Sequence, residues 1–124
     1  MLLKKPSEKM KEIKKRYANI PTVAFGDFNS SAKGLALKYL NENGVYSSYE
    51  LARESSPMSS HHGDPVRDEN GKYRGNKTSR DKTMSIDHIV LYKDDLKIDV
   101  QKVVEDQTIL DATDHSPVYI DFEM

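Results

Sequence analysis

The chain contains no cysteine and little apolar sequence. The absence of cysteine excludes disulfide bonds and thiol catalysis. Hydrophobic residues make up 36% of the 124 residues and charged residues 31%, and the mean hydropathy is −0.75. No segment reads as a signal peptide or a membrane span. A cytoplasmic location is therefore the default expectation, unless a segment upstream of this sequence carried a secretion signal.

Several ligand-binding motifs are also missing. Neither of the two glycine-rich phosphate loops, Gly-x-x-x-x-Gly-Lys-[Ser/Thr] and Gly-x-Gly-x-x-Gly, is present. The segment after Asp27 begins like a calcium loop, but Ala32 and Lys38 stand where glycine and glutamate are required. Without cysteine or a histidine pair four residues apart, a zinc site is not expected. Any phosphate binding would therefore depend on side chains and a metal ion.

Three short acidic motifs follow one another along the chain. They are Gly26-Asp27-Phe28-Asn29, Ser85-Ile86-Asp87-His88-Ile89 and Thr113-Asp114-His115-Ser116-Pro117. Each motif closes or begins a run that predicts a β-strand, over residues 21–25, 86–92 and 118–122. We therefore expect three acids, an amide and a histidine to converge at one end of a sheet, an arrangement suited to phosphoester chemistry.

In this order and in these strand contexts, the three motifs resemble those of the endonuclease/exonuclease/phosphatase superfamily, which has the DNase-I-like fold. The resemblance covers about residues 10–124 and only the C-terminal half of that fold. It implies an α+β protein, half of a four-layer α/β/β/α sandwich, with mainly antiparallel β-sheet and flanking helices. The chain is accordingly expected to be a single partial domain over residues 1–124.

The resemblance also implies a role for each motif residue. Asp27 would orient or deprotonate the attacking water, and Asn29 would hydrogen-bond the phosphate and steady Asp27. His115 would contact the scissile phosphate or act as general base, while Asp87 accepts a hydrogen bond from its other ring nitrogen. Asp114 would help to hold Mg²⁺ or Mn²⁺, hard cations that favour oxygen ligands and neutralise an anionic phosphoester.

The segment from Ser60 to Asp64 holds two of the four histidines. Many family members carry a Thr-Phe-His-Gly-like segment at this point, where it lines the substrate cleft. The match is loose, since both the threonine and the aromatic residue are replaced. His62 is therefore a candidate substrate-binding residue, and the alternative is that His61 and His62 are two solvated loop side chains.

The predicted function is metal-dependent hydrolysis of phosphodiester or phosphomonoester bonds, with nuclease activity included. Family members also supply an asparagine, a metal-anchoring glutamate and a further histidine ahead of the first motif, and we find no place for them here. The alternative is therefore a catalytically incomplete fragment, or a module that binds phosphate ligands or a partner. Half a sandwich would expose its inner face, so the expected partner is the N-terminal half of the fold or a self-associated copy.

Charge distribution bears on the substrate. Residues 1–19 carry seven Lys or Arg against two Glu, residues 93–124 carry three Lys against nine Asp or Glu, and the whole chain has a net charge of −1. Nucleases that bind duplexes usually present a broad basic face. A small phosphoester, such as a sugar phosphate or a lipid headgroup, is slightly favoured over nucleic acid. Basic residues of the long loop could bind its phosphates: Arg67, Lys72, Arg74, Lys77, Arg80 and Lys82.

Two helices are predicted from apolar spacing and capping signals. The first covers residues 7–18, with Ser7 as its cap, and the second runs from Ser30 or Ser31 to about Asn43. Gly44 is the expected stop of the second helix.

Periodicity predicts the remaining elements as follows. The apolar run 21–25 is expected to be buried on both faces, and the charged, alternating run 96–100 is expected to be an edge strand. Residues 53–83 lack periodicity and predict a long loop, a feature that is usually functional or mobile.

Overall fold

The computed structural model describes residues 4–124, which form a mixed α+β architecture. The helices are α1 (Lys4–Arg16), α2 (Leu35–Glu42), α3 (Ser48–Leu51) and α4 (Gln107–Ala112), and a 3₁₀ turn spans Lys82–Met84. The strands are β1 (Val23–Asp27), β2 (Val45–Ser47), β3 (Glu54–Ser55), β4 (Pro65–Arg67), β5 (Tyr73–Asn76), β6 (Asp87–Tyr92), β7 (Lys97–Val103) and β8 (Val118–Glu123). No helix within residues 4–124 combines the length and apolarity that crossing a membrane requires.

The strands form two small sheets and a hairpin. The first sheet has the order β1-β6-β2, the second has the order β3-β7-β8, and β4 pairs with β5. All pairs are antiparallel except β3 with β7. The predicted α+β class with mainly antiparallel sheet is therefore confirmed. The three motif-bearing strands are divided between the sheets, since β1 and β6 lie in the first and β8 in the second.

Strand β6 connects two hydrophobic clusters. Successive side chains of a strand point to opposite faces, so Val90 and Leu91 pack on opposite sides of the sheet. The first cluster contains Met10, Leu37, Leu40, Val45 and Val90. The second contains Leu91, Leu96 and Ile98, which come from β6, β7 and the turn between them. A strand buried on both sides in this way fixes the register of the first sheet.

Helix α1 confirms the first predicted helix but not its cap. The helix spans Lys4–Arg16 within the described residues, so Ser7 lies inside it rather than at its start. Ser7 is buried, and its hydroxyl has no hydrogen-bond partner among the described residues. Lys14 forms an ion pair with Asp95, whose other oxygen accepts the backbone N–H of Thr22 at 3.0 Å. These contacts hold α1 beside the start of β1.

Helix α2 begins later than predicted. It starts at Leu35, not near Ser31, because the preceding segment is fixed in a non-helical path. Asn29 has a positive φ of 49°, and the backbone carbonyl of Ser30 accepts a hydrogen bond from His88. The predicted stop is confirmed, since α2 ends just before Gly44, which has φ of 80°.

Two predictions about strand position are wrong. Strand β1 is not buried on both faces: it lies at the edge of its sheet and Phe25 is 80% exposed, because none of the described residues covers that face. Strand β7 is not an edge strand, since it lies between β3 and β8. Its charged Asp99 is accommodated by Arg53, whose Nε lies 2.8 Å from the carboxylate.

The prediction of a structureless loop over residues 53–83 is wrong in part. That segment contains β3, the β4–β5 hairpin and a 3₁₀ turn. Elements β2, α3 and α4 were also not predicted, because they have only three, four and six residues and are too short to show a period.

Replacing Leu91 by alanine should lower the free energy of unfolding by about 2–5 kcal/mol, because its fully buried side chain would leave a cavity. Leu35→Ala is the matched control: this leucine is 77% exposed, so the same change should stay within about 0.5 kcal/mol. Urea unfolding followed by circular dichroism measures both. Equal losses in the two variants would contradict the described core.

Candidate active site

The pairing of β1 with β6 brings together the acids of the first two motifs. The two strands are antiparallel, and their register places Asp27 directly opposite Asp87 and Phe25 opposite Ile89. Residues directly opposite each other in such a pair project on the same face of the sheet. The two carboxylates therefore lie at one end of that face, next to the apolar pair.

His115 contacts Asp87 directly. Its Nδ1 lies 2.8 Å from Asp87 Oδ2. Because a carboxylate accepts, Nδ1 is the donor, which leaves Nε2 as the ring nitrogen available to a ligand or a water. His115 precedes β8, and its position is fixed by an isolated bridge to His61 and by the bond from Ser116 N–H to the Ser60 carbonyl at 2.8 Å. The structure thus joins the third motif to the first two.

Ser60 is a contact that the sequence reasoning missed. Its hydroxyl donates to Asp87 Oδ2 at 2.7 Å, the same oxygen that accepts from His115. Ser60 is fully buried, so its hydroxyl is held in place against the Asp87 carboxylate. The loose Thr-Phe-His-Gly match placed Ser60 where family members have threonine, but a bond between a loop and a distant strand leaves no local pattern that predicts this contact.

The surroundings of His115 raise its pKa. Burial of the imidazole by itself lowers the pKa, but the hydrogen bond and the charge of Asp87, with the charges of Asp114 and Asp27, outweigh it. The net effect is stabilisation of the protonated ring in the folded chain. His115 is only half-buried, so part of its side chain is open to solvent.

Asp27 is exposed and is braced by the backbone that follows it. The N–H of Asn29 donates to Asp27 Oδ1 at 2.8 Å, and Asn29 adopts the left-handed conformation that makes this turn possible. The predicted steadying of Asp27 by Asn29 is therefore made by the backbone amide. The carboxamide of Asn29 stays exposed at the end of β1.

His88 anchors the loop that carries Asn29. Its Nε2 lies 2.8 Å from the Ser30 carbonyl and its Nδ1 lies 2.9 Å from the Ser47 hydroxyl. A carbonyl only accepts, so Nε2 carries the proton and Nδ1 accepts from Ser47. Burial lowers the pKa of His88, which agrees with a neutral ring. This histidine is structural in the described chain, on the face of β6 opposite to Asp87.

Two groups of side chains have the spacing of a cation site. In the first, ligand atoms of Asp27, Asp87 and His115 all lie within 4.8 Å of one another, and in the second those of His61, Asp114 and His115 do. The exposed carboxylates of Asp27 and Asp114 are hard oxygen ligands of the kind that Mg²⁺ and Mn²⁺ take. The residues present therefore fit a divalent cation, with few oxygen ligands to hold it.

The two neighbouring histidines of the long loop differ in position. The ring of His61 lies 4.6 Å from that of His115, centroid to centroid, and its Nδ1 accepts the Gly63 N–H at 3.1 Å. His62 is instead fully buried, with Nε2 at 2.8 Å from the Ser116 hydroxyl. Burial, then the charge of Arg80, lowers the pKa of His62. The structure does not bring His62 into the site, and neither histidine is a freely solvated loop side chain.

Three of the basic residues considered for phosphate binding are engaged within the chain. Arg67 donates to backbone carbonyls at the end of α4, Arg74 pairs with Asp68 at 2.8 Å, and Arg80 is buried against Glu105 at 2.8 Å. Only the lysines of that set remain as candidate phosphate contacts.

A groove of about 580 Å³ runs from the acidic pair along the uncovered face of the first sheet to β8. Its lining combines the site residues with apolar side chains of three strands, namely Asp27, Asp87, His115, Val23, Phe25, Ile89, Val118 and Ile120. The catalytic candidates thus lie at one end of an apolar face that other residues could cover.

Comparison with solved structures identifies the fold. An endonuclease/exonuclease/phosphatase protein from Bacteroides vulgatus matches with a TM-score of 0.67 and 20% identity, over 94% of this chain and 41% of that one. A family member from Leptotrichia buccalis matches with a TM-score of 0.60 and 20% identity, over 95% and 42%. The chain therefore has the fold of part of an endonuclease/exonuclease/phosphatase protein, and the predicted resemblance is confirmed at the level of the fold.

A third match carries a more specific name. A mannosyl-6-phosphatase from Bacteroides thetaiotaomicron matches with a TM-score of 0.65 and 20% identity, over 94% of this chain and 42% of that one. The chain thus spans about 40% of the length of the solved structures that it matches. No protein-family model and no curated protein matches the sequence.

Replacing Asp87 by asparagine should lower the pKa of His115, because the substitution removes the charge that favours the imidazolium. NMR titration of the ring protons in the presence of a chelator measures this. The raised pKa means that the pair stabilises the fold at pH values below the unfolded pKa, about 6.5. That contribution is lost as pH rises through the folded pKa.

Asp64→Asn is the control, since Asp64 is bonded to Thr78 rather than to His115. It should leave the titration of His115 unchanged. An unaltered pKa in Asp87→Asn would show that the Asp87–His115 contact does not form in solution.

Proposed function

We propose that the chain is the C-terminal half of a metal-dependent phosphoesterase, which hydrolyses phosphodiester or phosphomonoester bonds. The observation that carries this proposal is the connected arrangement of Asp27, Asp87 and His115, with Asp27 opposite Asp87 in the sheet and Asp87 bonded to His115 at 2.8 Å. The shared fold with endonuclease/exonuclease/phosphatase proteins supports it.

Each site residue has a proposed step. Asp27 orients the attacking water and takes up its proton, since its exposed carboxylate is held by the Asn29 N–H. His115, protonated and fixed by Asp87, donates from Nε2 to the scissile phosphate, where negative charge develops. The Asn29 carboxamide donates to another phosphate oxygen. The raised pKa of His115 favours the protonated ring that this donation requires.

Asp114 is the proposed ligand of Mg²⁺ or Mn²⁺. A bound divalent cation would neutralise the phosphate and so allow a water to approach it. Asp114 is exposed, and its carboxylate lies within 4.8 Å of ring nitrogens of His61 and His115. The small number of carboxylates predicts weak affinity in the chain by itself.

The proposed substrate is a small phosphoester, such as a sugar phosphate or a lipid headgroup, in slight preference to nucleic acid. The internal bonds of Arg67, Arg74 and Arg80 support this choice, because they engage the three arginines of residues 64–82 that could otherwise follow a nucleic-acid backbone. A mannosyl-6-phosphatase among the structures of the same fold agrees with a sugar phosphate.

The uncovered apolar groove supports a second candidate function. A chain that spans about 40% of the matched structures can be a catalytically incomplete fragment, or a module that binds phosphate or a partner through this face. The lining of the groove includes no glutamate that could anchor a metal ion. In both cases the proposed partner at the groove is the N-terminal half of the fold or a second copy of this chain.

His115→Ala and Asp27→Ala should each lower turnover by about 10²- to 10⁴-fold, because each removes a group that moves or holds a proton. The assay is Mg²⁺- or Mn²⁺-dependent release of p-nitrophenol from bis(p-nitrophenyl) phosphate and from p-nitrophenyl phosphate. Asp64→Ala, away from the groove, is the control and should retain activity. Full turnover in either site variant would contradict the assignment, whereas an inactive parent chain would favour the incomplete fragment.

The parent chain should self-associate at micromolar concentration, because its apolar face is uncovered. Size-exclusion chromatography with light scattering measures the mass. Phe25→Ser should shift the chain toward monomer, since Phe25 lines the groove and is 80% exposed. Leu35→Ser, which alters an equally exposed residue on α2 outside the groove, should not. A strictly monomeric, well-folded parent chain would rule out self-association.

A further inference from the structure

Arg67 is bonded to the end of helix α4. Its Nη1 donates to the carbonyls of Leu110 at 3.0 Å and Asp111 at 3.3 Å, and its Nη2 donates to that of Thr113 at 3.2 Å. The last carbonyls of a helix have no partner within the helix, and a cation there also favours the helix dipole. One guanidinium therefore satisfies three carbonyl acceptors at this helix end.

The residues that follow this helix end belong to the candidate active site. Asp114 and His115 come directly after Thr113, the last residue that Arg67 contacts. On their other side the chain is held by two backbone bonds to the long loop, from His62 N–H to the Asp114 carbonyl at 2.7 Å and from Ser116 N–H to the Ser60 carbonyl at 2.8 Å. The direction in which Asp114 and His115 project is thus set from two sides.

The β4–β5 hairpin supplies the contacts on the helix side. Besides Arg67 in β4, the N–H of Tyr73 at the start of β5 donates to Asp111 Oδ1 at 2.8 Å. Arg67 also donates to the carbonyl of Gly71, in the turn of its own hairpin, at 3.2 Å. The guanidinium therefore links the hairpin turn to the end of α4, and the hairpin acts as a brace for the segment with the third motif.

We propose that Arg67 is a positioning residue for Asp114 and His115. It acts by fixing the Thr113 carbonyl, and so the path on which the chain leaves α4 toward the groove. All the Arg67 bonds described above go to backbone carbonyls of this chain. The guanidinium therefore has a structural role rather than that of a phosphate ligand. A planar fork can reach several carbonyls in fixed directions, and the single ammonium of a lysine cannot. The catalytic consequence rests on the proposed function, but the positioning itself does not.

The first test compares amide hydrogen exchange in Arg67→Ala, Arg67→Lys and Arg74→Ala by NMR, without added metal. The His62 amide reports on the segment, since it donates to the Asp114 carbonyl. It should exchange about ten-fold faster in both Arg67 variants, because the segment opens more often once released from the helix end. Arg74→Ala is matched: Arg74 lies in the same hairpin, and its exposed side chain pairs with Asp68 of that hairpin rather than with α4.

The second test measures kcat and KM for p-nitrophenyl phosphate in the same three variants. Loss of a residue that orients active-site groups from outside costs about 10- to 100-fold. This loss should fall on kcat in both Arg67 variants with KM little changed, and Arg74→Ala should match the parent chain. Urea unfolding must show that the Arg67 variants remain folded under the assay conditions.

The outcomes separate this proposal from the proposed function. Faster His62 exchange in the Arg67 variants supports positioning even when the parent chain shows no turnover, a result that would count only against catalysis by this half. Unchanged exchange in Arg67→Ala overturns the proposal, and so does a uniform rise in exchange along the whole chain, which would mean general destabilisation. If Arg67→Lys exchanges and turns over like the parent chain, the planar guanidinium is not required. The positive charge at the end of α4 would then be sufficient.

Discussion

The antiparallel pairing of β1 with β6 is the interaction on which the rest of this structure depends. Its register sets Asp27 opposite Asp87, and β6 at the same time fills both hydrophobic clusters through Val90 and Leu91. A slip by one residue would turn the acids away from the groove and move the apolar side chains out of the two cores. The packing that stabilises the sheet therefore also specifies the geometry of the candidate site.

The parts of the fold that the sequence predicted are those with a strong local signal. Strands β6 and β8 have clear apolar patterns, and Gly44 ends α2 where a positive φ is needed. The start of α2 was predicted too early because a long-range bond, from His88 to the Ser30 carbonyl, overrides the capping signal of the serines. Burial of β1 was overestimated because apolar sequence does not show whether a covering layer is present.

The candidate site divides in the same way. The motifs indicated Asp27, Asn29, Asp87, Asp114 and His115, and the structure places Asp27, Asp87 and His115 within one cluster. Ser60 and His61 reach the site through contacts between segments far apart in sequence, which the loose motif match around them did not specify. His62 was selected from a loose motif match, whereas its neighbour His61 is the one beside His115. Two adjacent residues of an extended segment project in opposite directions, so only one of the two histidines can face His115. The irregular sequence of that loop did not reveal which one.

The wide sequence separation of Asp27, Asp87 and His115 has a kinetic consequence. No pair of these residues can meet until the intervening loops have closed, and closing them costs chain entropy before the strand contacts repay it. Local elements such as α1 and the β4–β5 hairpin can form early, while the acidic end of the groove can form only once β1, β6 and the segment before β8 are all in place. A collapsed intermediate with nearly complete secondary structure would thus still lack the site. The chain would become compact before its active-site residues come together.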